Sequence, residues 1–310
     1  MAGDMRIAII GQEAFGGSVL DALVQAGENV VAVFLPPDRE GRPPDPVKAA
    51  AQGHNIPVHQ FRRMRNQAAV DAFKEVNADL CVMAFVTDII PDAILEAPNK
   101  GTIQYHPSLL PKHRGPSSMN WPIIYGETET GLTIFWPDKG LDTGPVLLQK
   151  TVEITPDDTL GSLYFDKLFP MGVDALVEAV GMVAGGAAPR IFQDESQATY
   201  EGWCRAEDIT IDWSKPAADI YNRIRGGDPS PGAVTTLDGQ QVQFFRTEMR
   251  ASAGSGEPGR VTEIADDGFA VAAGDGTLFV RRVQPAGSGK VMAPEWVQSV
   301  GLKPGSRFGG

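Results

Sequence analysis

The segment GTIQYHPSLLPKHRG, residues 101–115, sets a primary amide and an imidazole two positions apart. In an extended strand successive side chains alternate faces, so Gln104 and His106 point the same way and Tyr105 the other. Pro107 has no N–H to continue a ladder, which ends the strand and leaves both groups at its carboxyl end. Pro111 and Gly115 make the following loop stiff and sharply turned. Further on, GLDTG (140–144) holds Asp142 in a turn with a glycine close on either side. Both turns let backbone amides come close to a ligand. Imidazole and carboxylate are the groups of general acid–base chemistry, and an amide N–H can donate to a carbonyl oxygen. Taken singly, each has a plainer role. His106 alone reads as a satisfied structural histidine, Asp142 as a turn cap, and Gln104 as a strand-end residue bonded to backbone.

Such groups need elements to position them. MRIAII (5–10) is an apolar run closed by Gly11, the mark of a buried parallel strand. Phe15, Val19, Leu20, Leu23 and Val24 then recur at helical spacing, and NVVAVFL (29–35) gives a second strand. The alternation continues with a helix near 45–53, a strand at 56–58 and a helix near 66–76. ADLCVMAF (78–85) reads as a central strand, and 101–106 follows as another after a turn and a short helix. This order predicts an α/β fold, an open and mostly parallel Rossmann-like sheet with helices on both faces. Ligands on such sheets bind beyond the carboxyl ends of the strands, in the loops after 85 and after 106. A helical stretch over 158–184 leads to a linker at 186–205. Short β-patterned runs then recur (GAVTTL, QVQFFR, GRVTEI, GFAVAA, TLFVRRV), which predicts a smaller C-terminal β-barrel of oligonucleotide-fold type. The expected domains are 1–203, carrying the chemistry, and 204–310.

Charge narrows the partners. The 310 residues carry 27 basic and 39 acidic side chains, a formal charge of −12, which argues against a broad basic surface for nucleic acid. Residues 204–310 hold 12 basic and 13 acidic groups, so the second domain is near neutral and poorly suited to grip RNA. Two cysteines and four histidines argue against a disulfide framework or a dedicated zinc site. His54 and His59 are expected in a solvated loop, His113 in a surface loop, and Cys81 as a small buried hydrophobe. FRRMR (61–65) reads as a solvated basic helix start. Asn120 and Trp121 are expected behind the active loop. Ile7–Ile10 is too short for a leader, and no stretch approaches the ~20 apolar residues of a spanning helix, so the expected compartment is the cytoplasm, with no membrane contact.

Together, HPSLLPKHRG and GLDTG resemble the folate-dependent formyltransferase and hydrolase superfamily. The resemblance runs over nearly the whole chain: RIAIIGQEAFG, the PPD turn at 36–38, GLTIFWPDKGLDTGPVLLQ, and ITIDWSKPAADIYNRIRGGDPSPGAVT. Within the superfamily the chain is most similar to the N-terminal hydrolase domain of the 10-formyltetrahydrofolate dehydrogenases. The resemblance implies hydrolysis of 10-formyltetrahydrofolate to tetrahydrofolate and formate through a tetrahedral intermediate. The alternative is transfer of the formyl group to an amine, on methionyl-tRNA or an amino-sugar nucleotide. It implies His106 as acid–base group and oxyanion partner, with Asp142 holding the imidazole or the attacking water. It also implies a folate cleft bordered by Phe85, Val86, Thr87 and Asp88 on one side and Pro137, Asp138, Lys139, Gly140 and Leu141 on the other. Arg114 lies in the shared turn, where a structural role is equally open. Gln104 departs from the pattern: the transferases carry Asn there, and the hydrolase domains an apolar residue. It keeps the donor amide but adds a methylene. No metal and no bound nicotinamide are expected. The loop PPDREGRPPDP is short and mixed in charge, so tRNA is not expected as a partner. The family's full dehydrogenases continue into a carrier-type and an aldehyde-dehydrogenase domain. This chain stops at SRFGG, so oxidation would call on a separate dehydrogenase or carrier partner, and a homo-oligomer is left open.

Overall fold

The computed structural model describes residues 4–250 and 256–309. The chain opens with β1 (Arg6–Gly11), α1 (Glu13–Gln25), β2 (Asn29–Leu35), α2 (Pro46–Gly53), β3 (Val58–Gln60), α3 (Gln67–Val76), β4 (Leu80–Ala84), α4 (Asp92–Leu95) and β5 (Thr102–His106). It continues through α5 (Asn120–Ile124), β6 (Glu129–Phe135), β7 (Val146–Glu153), the single turn α6 (Leu160–Ser162) and α7 (Phe169–Ala184). The remainder is α8 (Ala217–Gly226), β8 (Ala233–Leu237), β9 (Gln240–Arg250), β10 (Val261–Ala265), β11 (Gly268–Ala272), β12 (Thr277–Pro285), β13 (Val291–Met292) and α9 (Ala293–Val300).

Seven strands form the first sheet in the order β3-β2-β1-β4-β5-β6-β7. The first five are parallel, and β6 runs antiparallel to β5. Strand order reverses between β1 and β4, which opens a crevice beyond their carboxyl ends. One sheet face is covered by α3 and α4, whose Val70, Phe73, Ile94 and Leu95 pack with Ala8, Ile10 and Phe34 of the strands. On the other face Tyr105 meets Phe15 of α1 at 4.5 Å, and Gly172 of α7 lies against both rings. Gln104 is in register with Met83 and so shares the α3–α4 face, as the alternation requires.

Three local expectations shift. The third strand is Val58–Gln60, two residues later than expected. The stretch 158–184 is broken, because a π-helical segment (Leu163–Leu168) joins α6 to α7 just before Pro170, which has no N–H for regular helix bonding. FRRMR precedes α3 and does not begin it; Met64 is buried and Arg63 pairs with Asp88.

The chain divides into two compact units, and neither is one stretch of sequence. The first comprises residues up to 114 with 131–152 and 167–200; the second comprises 115–130, 153–166 and 201–310. In the second, six strands form an antiparallel sheet, β10-β11-β12-β9-β8, with β13 on β12. Arg307 bridges Arg260 beside β10 while Phe308 bridges Leu237 of β8, so one terminal segment sews the sheet's two edges together. The enclosed core is aromatic: Trp213, Phe244, Phe269, Trp296 and Phe308 touch ring to ring. Segment 153–166 is tied in by Arg225 of α8, which donates to the carbonyls of Thr155 and Asp158 at 3.3 and 2.9 Å. Burial pushes that guanidinium below its ordinary pKa. Asn120 uses its amide on the Gly226 carbonyl at 2.8 Å, and Trp121 donates to the Gly202 carbonyl at 3.0 Å.

Candidate active site

β5 ends at His106, and the Ser108 amide turns back onto the His106 carbonyl at 3.0 Å. The loop that follows is held by hydroxyl and amide groups. Thr133 of β6, fully buried, donates to the Ser108 carbonyl at 2.6 Å and accepts from the Leu110 amide at 3.1 Å. Gln149 of β7 donates to the Leu110 carbonyl and to Thr133 Oγ1, at 2.8 and 2.9 Å. Ser108 Oγ spans the loop to the carbonyls of Lys112 and His113. Nothing in the sequence around 101–115 announced Thr133 or Gln149, whose partners in the loop lie 23 and 39 positions away.

His106 Nε2 lies 2.9 Å from the His113 carbonyl oxygen. A carbonyl can only accept, so in the neutral imidazole the proton sits on Nε2 and Nδ1 is the basic nitrogen. Nδ1 faces Asp142 Oδ2 at 3.7 Å, and both side chains are 7% exposed. That separation exceeds a hydrogen bond but suits a carboxylate facing an imidazolium. His113 corrects an expectation: it is buried, with φ +54°, and its backbone N–H donates to Thr199 Oγ1 at 2.8 Å. Its partner lies 86 positions away, so no local pattern could place it inside.

Asp142 sits at φ +58°, a left-handed conformation. Its flanking glycines are required by space. A Cβ on Gly144 would fall 1.8 Å from the Trp136 carbonyl oxygen, and one on Gly140 would fall 1.9 Å from Thr143 Oγ1. Asp138 braces the turn from below, accepting from the Gly140 amide at 3.0 Å and Thr143 Oγ1 at 2.6 Å. Gln104, half-buried, makes no side-chain hydrogen bond among the described residues, so its amide is open to a ligand.

The two loops assigned to a folate cleft line two different hollows. Phe85, Val86, Thr87 and Asp88 border a space of about 30 Å³ at the β1–β4 crevice, with Gly11, Gln12, Phe61 and Arg62. There Phe85 adopts φ +60°, Thr87 accepts from Gln12 at 3.1 Å, and Asp88 is engaged by Arg63 at 3.0 Å and the Met64 amide at 2.8 Å. Pro137, Asp138, Lys139 and Gly140 border a hollow of about 620 Å³ with Asp92, Lys100, Trp136 and Arg190. Lys139 pairs with Asp92 at 3.6 Å, and Leu141 is exposed.

Away from this centre the other histidines have plain partners. His54 meets Asp21 at 2.7 Å, and His59 stacks on Phe34. Cys81 is fully buried, and desolvation pushes its thiol up to about 12. Among the described residues no group of three or more His, Cys, Asp or Glu side chains is placed to hold a metal, and no helix is long and apolar enough to cross a membrane.

Comparison with known proteins gives the family. Residues 5–180 match the family described as formyl transferase, and residues 204–301 match the formyl transferase C-terminal domain. The methionyl-tRNA formyltransferase of Trichlorobacter lovleyi is 41% identical over 298 residues, 94% of this chain and 93% of that protein. The mitochondrial 10-formyltetrahydrofolate dehydrogenase of Mus musculus is also 41% identical, over 296 residues. That alignment covers 90% of this chain but 32% of the relative, so the chain spans about a third of the dehydrogenase's length. HypX from Aquifex aeolicus, solved in complex with tetrahydrofolic acid, shares the fold with a TM-score of 0.71 at 19% identity, covering 95% of this chain and 47% of its own. The chain belongs to the formyl transferase family of enzymes.

Proposed function

We propose that the chain removes the formyl group from 10-formyltetrahydrofolate and passes it to water, releasing tetrahydrofolate and formate. The observation that carries this is the buried pair of His106 Nδ1 and Asp142 Oδ2, 3.7 Å apart beside an uncommitted Gln104 amide. In the mechanism, the Gln104 amide donates to the formyl oxygen as negative charge builds there. His106 Nδ1 takes a proton from water as the oxygen–carbon bond forms. Asp142 faces the resulting imidazolium. The same proton returns to the folate nitrogen as its bond to the formyl carbon breaks. Residues 1–203 supply this machinery, with Phe85–Asp88 and Pro137–Leu141 as the folate-contacting loops, and 204–310 form the accompanying barrel domain. No step calls on a metal or a nicotinamide.

Water as acceptor is favoured by the end of α1. In an open α/β sheet, a helix N-terminus at the strand ends is where a phosphate-bearing acceptor would find free N–H groups. Here the Asp45 carboxylate already accepts from the Glu13 amide at 3.1 and 2.9 Å and from the Val47 amide at 2.8 Å. An acid in that place repels a second anion. The other reading, transfer to an amine on methionyl-tRNA, is favoured by the Trichlorobacter lovleyi relative, which aligns over nearly its whole length.

One experiment separates the two. Purified protein is mixed with 10-formyltetrahydrofolate, and formate and tetrahydrofolate are followed with no acceptor present. Release of both supports hydrolysis. Turnover that starts only when methionyl-tRNA or an amino-sugar nucleotide is added overturns it in favour of transfer.

A further inference from the structure

The polar stretch QDESQAT, 193–199, reads as linker in the sequence, yet in the fold it bonds the Asp142 backbone directly and reaches His106 through His113. Gln193 Nε2 uses its two hydrogens on the carbonyls of Asp142 and Gly144, at 2.9 and 2.7 Å. Those carbonyls flank the turn in which Asp142 holds its left-handed backbone. On its other side, Gln193 Oε1 accepts from Arg114 Nε and Nη2, at 3.2 and 2.8 Å. Arg114 is 7% exposed and is gripped in turn by both carboxylate oxygens of Glu195, at 2.9 and 2.6 Å. The same stretch ends at Thr199, whose carbonyl takes the Arg114 amide at 3.0 Å and whose hydroxyl takes the His113 amide. His113 supplies the carbonyl that fixes the His106 ring.

We propose that Gln193 is a positioning residue: its amide, held by Arg114, sets the Asp142 turn at its working distance from the His106 ring. The physical basis is accounting of donors and acceptors. A primary amide offers two hydrogens and a carbonyl oxygen, and here every one is engaged across two loops that are otherwise separate in sequence. An amide so bonded fixes both loops at once, because moving either breaks two hydrogen bonds. The claim rests on the acid–base reading of His106 and Asp142 for its kinetic consequence, but not for its structural one.

Gln193→Met keeps the side chain's length and removes all four hydrogen bonds; Gln193→Glu keeps the acceptor for Arg114 and places an oxygen against the two carbonyls. Formate release is measured for both beside the wild type, with kcat and KM separated. The ring nitrogens of His106 are followed by ¹⁵N NMR of the substrate-free protein, with His106→Ala identifying the signals. A displacement of about 1 Å at a reacting centre lowers rate by ~10²-fold, so kcat is expected to fall by roughly that factor with KM within about twofold. The His106 Nδ1 signal should move while those of His54 and His59 stay. Should Gln193→Met fail to fold, Gln193→Glu carries the same two readouts. An unmoved His106 signal together with kcat within about twofold of wild type overturns the proposal. If the wild type itself releases no formate, the hydrolase reading fails, and the ring signal alone decides the role of Gln193.

Discussion

The His106 loop and the C-terminal barrel are both buried, but they are held by different forces. Around His106 the fastening is polar: Thr133, Gln149, Ser108 and Gln193 each bond backbone groups of loops that have no regular ladder of their own. In the barrel it is apolar, five aromatic rings in mutual contact inside a sheet whose backbone groups are already paired. Hydrogen bonds are directional and fix positions to fractions of an ångström, whereas apolar burial is non-directional and contributes mostly stability. The two regions should therefore respond differently to substitution. Changes near His106 should lower rate more steeply than stability, and changes in the barrel should lower stability first.

The sharpest break in that division is His106→Ala. Removing a positioned acid–base group should lower formate release by ~10²–10⁴-fold, with the thermal midpoint little changed. A variant with near-normal turnover would remove His106 from the chemistry. At the other pole, Phe308→Ala empties the centre of the aromatic cluster and loosens the segment that bridges β8. A cost of about 3–5 kcal/mol to the barrel is expected, read as a lower urea midpoint. A loss below about 1 kcal/mol would mean that the cluster is not what holds the barrel.

The same contrast explains what the sequence could reveal. Alternation of apolar strands and helices made the parallel sheet legible, and Pro107 with Gly140 and Gly144 punctuated the two loops clearly. The β-runs after 230 showed the barrel for the same reason. By contrast, β6 and β7 passed unannounced; from its third position Val146–Glu153 alternates only half-buried and exposed residues, too weak a contrast for periodicity to read. His113 and Gln193 were illegible in principle. Each is a polar residue in a polar segment, and its burial depends on groups dozens of positions away. Periodicity reports a residue's own element and cannot report which distant carbonyl an amide will meet. The sequence likewise gave no sign that the loops 85–88 and 137–140 border separate hollows.

Thr133→Val tests whether the loop's polar fastening can fail without the fold failing. The substitution is close in shape but leaves the Leu110 amide without its hydroxyl acceptor and the Ser108 carbonyl without its donor. A buried group so stranded costs about 1–3 kcal/mol, and the loop's geometry should relax with it. Turnover should therefore fall more steeply than stability, by the ratio of kcat loss to urea-midpoint shift compared with Phe308→Ala. Equal proportional losses in the two variants would erase the distinction between the regions.

The smallest effect is expected at the rim of the polar side, at Glu195. Its carboxyl is held below the ordinary value of 4.5, first by the hydrogen bond from Arg114 and then by that guanidinium's charge. Arg114, for its part, is raised by the same contact. A carboxyl whose folded-state pKa is depressed contributes stability that is present above the unfolded value and lost as pH falls through the folded one. Stability of the wild type should therefore decline, from about pH 4.5 downward, more than that of Glu195→Gln. The glutamine still accepts a hydrogen bond from Arg114 but cannot titrate. Glu195 is 68% exposed, so solvent screens the pair and the gap between the two curves should be slight. Urea midpoints measured from pH 7 to pH 3 on both proteins read that gap directly. Curves that run parallel throughout would mean the charge on Glu195 adds nothing to the fastening of residues 193–199.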